Sequence, residues 1–102
     1  EHFVMASEMK NHLNKVVVML GYFVFVKTTK TSNGGIMYFG TFVDPKGDFI
    51  DSVHFPQVAI NYPFRGLGVY ALKGKITEDF DFYSIEVNTM NYLPYAEDKR
   101  YD

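Results

Sequence analysis

Cysteine and tryptophan are both absent from this chain of 102 residues. Without thiols there is no disulfide framework and no thiolate metal site, so stability rests on packing, in keeping with a reducing compartment. Long apolar runs are missing too. The longest are Val16 to Leu20 and Tyr22 to Val26, far short of the ~20 residues that cross a bilayer. The opening Glu1-His2-Phe3-Val4-Met5 lacks the basic-then-apolar pattern of a secretory leader. No membrane span and a cytoplasmic location are the expectation. An excess of positive charge is also lacking: 10 Lys and Arg face 12 Asp and Glu, for a net charge of −2. This excludes the strongly basic surface of a tight, non-specific DNA binder, whose affinity grows with each phosphate neutralised. Any contact with nucleic acid must then be local. The chain also starts without an initiator methionine, which points to a segment of a longer polypeptide and to a function exercised within a larger assembly.

What is present is apolar and aromatic: 47% hydrophobic residues and 18% aromatics furnish one core, and the length fits one domain. Met5, Met9 and Leu13 recur at helical spacing, predicting a short N-terminal helix from Ala6 to Leu13 with Ser7 as its cap. Val16 to Thr29 is rich in β-branched and aromatic residues and too long for a straight strand, with Gly21 as the bend or close-approach point. Lys27 to Gly35 reads as a loop on the turn chemistry of Asn33-Gly34-Gly35. Ile36 to Asp44 and Phe49 to Phe55 form a hairpin about the turn Asp44-Pro45-Lys46-Gly47-Asp48. Gln57 to Tyr62 suits a helical turn or two ending before Pro63. Gly66 to Ile76 and Tyr83 to Met90 supply two more strands around an acidic and aromatic loop, Thr77 to Phe82.

Three strands, a helix and two strands is the order of an all-β, five-stranded Greek-key barrel of the OB type, whose helix plugs the barrel between strands three and four. An SH3-like barrel or a sandwich leaves the mid-chain helix harder to place. The expected division is a leading segment over residues 1–13, the barrel over 14–94 and a charged tail over 95–102.

Gly21-Tyr22, Met37-Tyr38-Phe39-Gly40-Thr41-Phe42-Val43-Asp44, Gly47, His54-Phe55-Pro56, Tyr62-Pro63-Phe64-Arg65-Gly66 and Gly74-Lys75 together resemble the OB domain near the C-terminus of the bacterial replicative DNA polymerase III α subunit. The HFP and YPFRG stretches resemble versions from the Bacteroidetes group. The resemblance extends from about Ala6 to Pro94 and implies a non-catalytic module that helps hold single-stranded DNA template beside other domains of the polymerase. The nucleotidyl-transfer carboxylates would lie elsewhere. A shorter resemblance, through Phe39, Phe42 and Asp44, runs to the anticodon-binding OB domains of aspartyl-type tRNA synthetases, which stack unpaired RNA bases on second-strand aromatics.

Period-2 alternation sets Tyr38, Gly40 and Phe42 on one face of the second strand and Met37, Phe39, Thr41 and Val43 on the other. The resemblance makes Phe42 the core member, which turns Phe39 outward as a platform on which a base can stack; Met37 and Thr41 share its face. The competing reading keeps Phe39 as core or covers it with the parent chain. Lys27 and Lys30 flank the loop before this strand and offer two ammonium groups to phosphates. Arg65 either binds phosphate or braces the turn into strand four. The Thr77 to Phe82 loop carries Glu78, Asp79 and Asp81 beside Phe80 and Phe82; either the rings touch bases while the carboxylates face solvent, or the loop docks on a neighbouring protein domain or packs on the core, and a scaffolding role is the reading from another class.

No catalytic or cofactor signal stands out. Asp44, Asp48 and Asp51 do not follow calcium-loop spacing. His2, His12 and His54 are far apart without cysteine companions, and His54 reads as structural. Gly66-Leu67-Gly68 lacks the third glycine and following helix of a dinucleotide loop. Neither metal nor small-molecule cofactor is expected.

Overall fold

A computed structural model describes residues 2–94. The tail at 95–102 lies outside the described residues. Five strands form a closed barrel in the order β1-β2-β3-β5-β4: β1 (Val16–Lys30), β2 (Ile36–Val43), β3 (Phe49–His54), β4 (Val69–Asp79) and β5 (Phe82–Leu93). A 3-10 helix, Ala6–His12, precedes them, and the helix α1 (Pro56–Asn61) joins β3 to β4. Every strand pairing is antiparallel except the short parallel contact of β3 with β5, Asp51 to Val53 against Ser84 to Glu86. This is the OB-fold.

The barrel closes because β1 serves two partners. Val16 to Tyr22 pairs with β4 and Tyr22 to Lys30 with β2. Gly21 sits at that change of partner, where a Cβ would come within 2.7 Å of the Phe42 Cβ, so glycine permits the close approach expected of it. The bulge itself lies further on, between Phe23 and Phe25. Inward positions alternate along the strands as the pleat requires: Val17 and Met19, Phe42, Ile50, Tyr70, Leu72 and Ile76, Ile85 and Val87 are all buried. Val4 and Met9 from the leading segment join this core, and the Val4 N–H donates to the Val18 carbonyl at 2.9 Å.

Several boundaries differ from the sequence expectation. The N-terminal helix is 3-10, and its first residues are not capped by Ser7, which is exposed. Instead the Ala6 N–H donates to Asp44 Oδ2 at 2.8 Å, and the Met5 N–H to Glu8 Oε1 at 2.9 Å. Strand β1 runs through Lys30, because Lys27 to Lys30 pair with Phe39 to Ile36, leaving only residues 31–35 as loop. β4 starts at Val69 rather than Gly66. The supposed loop Thr77 to Phe82 is the end of a long β4-β5 hairpin, closed by a two-residue turn at Phe80 and Asp81 with φ of 52° and 67°. That is the type I′ pattern, normally filled by Asn-Gly. Finally, α1 buries none of its residues. Its Val58 packs partly buried against the core together with Phe64, whose ring lies 5.1 Å from Phe23 and 4.8 Å from His54.

Candidate nucleic-acid interface

Outside the barrel, the register sets side chains of β1, β2, β3 and β5 in two cross-strand rows. One row is Phe25, Thr41, Asp51 and Ser84; the next is Lys27, Phe39, Val53 and Glu86. Together they shape an open groove of about 390 Å³ lined by Phe25, Lys27, Phe39, Thr41, Asp51, Val53 and Ser84. Phe42 is fully buried whereas Phe39 is 38% exposed and Phe25 49%. The second strand therefore turns Phe39 outward, directly opposite Lys27.

Exposed aromatics continue along this face. Tyr22 pairs with Val43 and Val43 with Phe49; Tyr22 and Phe49 are both exposed. Phe49 and Phe82 stand two residues before Asp51 and Ser84, on the same side of their strands by alternation. Phe82 and the turn residue Phe80 are the most open of all, at 72% and 88%. The face thus presents flat apolar rings with few charges: one ammonium, Lys27, against the carboxylates of Asp51 and Glu86. No ion pair engages any of the three among the described residues.

Only part of the expected site comes together. Phe39, Lys27 and Thr41 line one groove. Met37 shares their face one row further along, opposite Thr29, and is half-buried. Lys30 pairs with Ile36 and, three residues from Lys27 in a strand, points from the opposite side. Arg65 lies in the α1-β4 connection and lines a separate groove of about 440 Å³ with Asn61, Tyr62, Asn91 and Tyr92. Its backbone N–H donates to the Tyr70 hydroxyl at 2.8 Å, a bond that holds the turn whatever the side chain does. Phe25 and Phe49 were missed. For Phe25 the bulge removes the signal, since counting by twos from the core residue Phe23 puts Phe25 in the core as well.

Beneath the groove the polar groups are structural. Ser52 and His54 are buried inward members of β3. The Ser52 hydroxyl donates to the Gly40 carbonyl at 3.1 Å and lies 2.8 Å from His54 Nε2. Burial pushes the His54 imidazole from 6.5 down to about 4, so the ring is neutral at physiological pH. At the far end of β2, burial works against ionising Asp44, but the N–H groups of Ala6, Asp48, Lys46 and Gly47 outweigh it and hold the carboxyl below its ordinary range. Asp44 ties the β2-β3 turn to the N-terminal helix.

No protein-family model matches the chain, and no curated protein sequence matches it significantly. Among solved structures, the second OB-fold domain of replication protein A from Methanococcus maripaludis, determined by solution NMR, is similar, with a TM-score of 0.62 and 14% identity over 79% of this chain and 86% of that one. Strand order and this likeness agree on one conclusion: the chain is an OB-fold barrel.

Proposed function

We propose that this barrel is a non-catalytic module that holds a single strand of nucleic acid across β1, β2 and β3. One observation carries the reading: Phe39 and Phe25 stand exposed in one groove with Lys27. OB-folds that bind single strands combine aromatic platforms with a charged groove, and each stacked base contributes ~1 to 3 kcal/mol. With a single lysine among the groove-lining residues, stacking must supply most of the affinity. The finer reading is an accessory domain of a replicative DNA polymerase α subunit, working in the cytoplasm on template DNA. The sequence resemblance from Ala6 to Pro94 supports it, and the similar archaeal domain is named for replication.

Titrating a single-stranded oligothymidylate into the chain at about 50 mM and 200 mM salt tests the proposal. Saturable binding is expected, with a log-log salt slope of about −0.7, the value for one phosphate neutralised on a single strand. No binding at low salt to DNA or RNA would sink it. Much tighter binding of structured tRNA loops than of DNA would favour the synthetase-like relation.

The β4-β5 hairpin favours a second reading. Phe80 and Phe82 stand out from the barrel among Glu78, Asp79 and Asp81, chemistry suited to an apolar, basic-rimmed pocket on a neighbouring domain. Cross-linking through this hairpin to polymerase fragments, unaffected by oligonucleotide, would support scaffolding.

A further inference from the structure

Asp51 is out of place on a surface that holds a phosphate backbone. It stands in the middle of the groove, paired with Thr41 on one side and Ser84 on the other. Its carboxylate accepts no hydrogen bond and joins no ion pair among the described residues, and Lys27 is equally free. The two are two strands apart, roughly 10 Å between backbones, with Phe39 of β2 between them in the Lys27 row. A base lying flat on Phe39 is therefore flanked by a donor on one edge and a pure acceptor on another.

We infer that Asp51 and Lys27 make this groove select a base, and that the base is guanine. The inference rests on the single-strand reading above. Guanine carries two adjacent donors, N1–H and the N2 amino group, that a carboxylate accepts bidentately. Its O6 and N7 are acceptors suited to a lysine. Cytosine and adenine each offer the carboxylate one exocyclic amino group and no second adjacent donor. Thymine is the poorest partner, because its single N3–H lies between two carbonyl oxygens that a carboxylate repels. Stacking on Phe39 alone is indifferent to sequence, so any preference comes from these edge contacts.

The test uses a thymidine heptamer and the same heptamer with guanosine, inosine or adenosine at its centre. Binding is followed by the fluorescence of the chain's 8 tyrosines, which no tryptophan obscures. The guanosine oligomer should bind about ten-fold more tightly than the thymidine heptamer, the scale of one bidentate base contact. Inosine, which lacks only the N2 amino group, should fall between them. D51N should abolish the preference, bringing the guanosine oligomer and the thymidine heptamer to the same affinity, with the unfolding midpoint unchanged, since the Asp51 side chain is exposed and holds nothing in the fold. Equal affinity for all four oligomers, or a preference that survives D51N, overturns this inference alone. Failure of every oligomer to bind overturns the single-strand reading with it.

Discussion

Lowering the pH from 7.5 to 4 places a proton on a group that the folded chain cannot accommodate. His54 is 0% exposed and packs against Phe64 with 4.8 Å between ring centroids. Because Ser52 has one hydroxyl hydrogen and gives it to Gly40, His54 Nε2–H is the donor to Ser52 Oγ. That leaves Nδ1 as a bare acceptor with no partner among the described residues. Protonation there creates a buried cation with nothing to receive its new N–H. The unfolded chain protonates this ring below 6.5 but the folded chain only near 4. Stability is therefore complete above pH 6.5 and is lost as the pH falls through about 4. At ~1.36 kcal/mol per unit, the loss is about 2 kcal/mol by pH 5 and about 3 kcal/mol by pH 4. Glu8, lowered by the Met5 N–H, and Asp44 lose their contributions only below their unfolded values of 4.5 and 3.8. The window from pH 5 to 7 thus isolates His54 once His2 and His12 are replaced by glutamine. Urea unfolding in that background should show the decline, and His54→Leu should flatten it. The same decline in His54→Leu, or a flat profile in its parent, would refute the reasoning.

Three stability predictions follow from backbone geometry. Replacing Phe80-Asp81 by Asn-Gly should raise stability by roughly 1 to 2 kcal/mol, because both residues hold a positive φ that L side chains resist; an unchanged urea midpoint would deny the type I′ turn. Gly74→Ala would put a Cβ 2.1 Å from the Glu86 carbonyl oxygen, so a loss of at least about 3 kcal/mol or failure to fold is expected, and a well-folded variant would contradict the β4-β5 register. Asp44→Ala removes the acceptor of the Ala6, Lys46 and Asp48 N–H groups and should cost about 2 to 3 kcal/mol, seen as loss of protection of the Ala6 amide in hydrogen exchange.

Much of the barrel was legible because its strands obey a simple period. Alternation in a strand without irregularities sets Phe42 and Phe39 on opposite faces, and the resemblance supplied which of the two faces is the core. The legible part ends where the chain departs from that period. Lys27 to Lys30 are polar enough to read as loop, yet their backbone is held by Ile36 to Phe39, and strand pairing overrides composition. Once those residues are strand, Lys27 and Lys30 must point to opposite sides, so only one joins Phe39. The Phe23 to Phe25 bulge hides Phe25 by shifting parity midway along β1. Phe80-Asp81 carries neither the glycine nor the asparagine that marks a tight hairpin turn, so the long hairpin reads as a loop. Asp44 bonds to Ala6, 38 residues away, a contact no local pattern announces.

Comparing the unaltered chain with Phe39→Ala and Phe25→Ala in their affinity for a single-stranded DNA oligomer at about 50 mM salt tests the central claim most directly. Both rings are partly exposed, so the folds should persist, with each substitution weakening binding by ~1 to 3 kcal/mol whatever the sequence of the oligomer. Affinity unchanged in both variants, whose unfolding midpoints match the parent, would mean that the groove across β1, β2 and β3 is not where the strand lies.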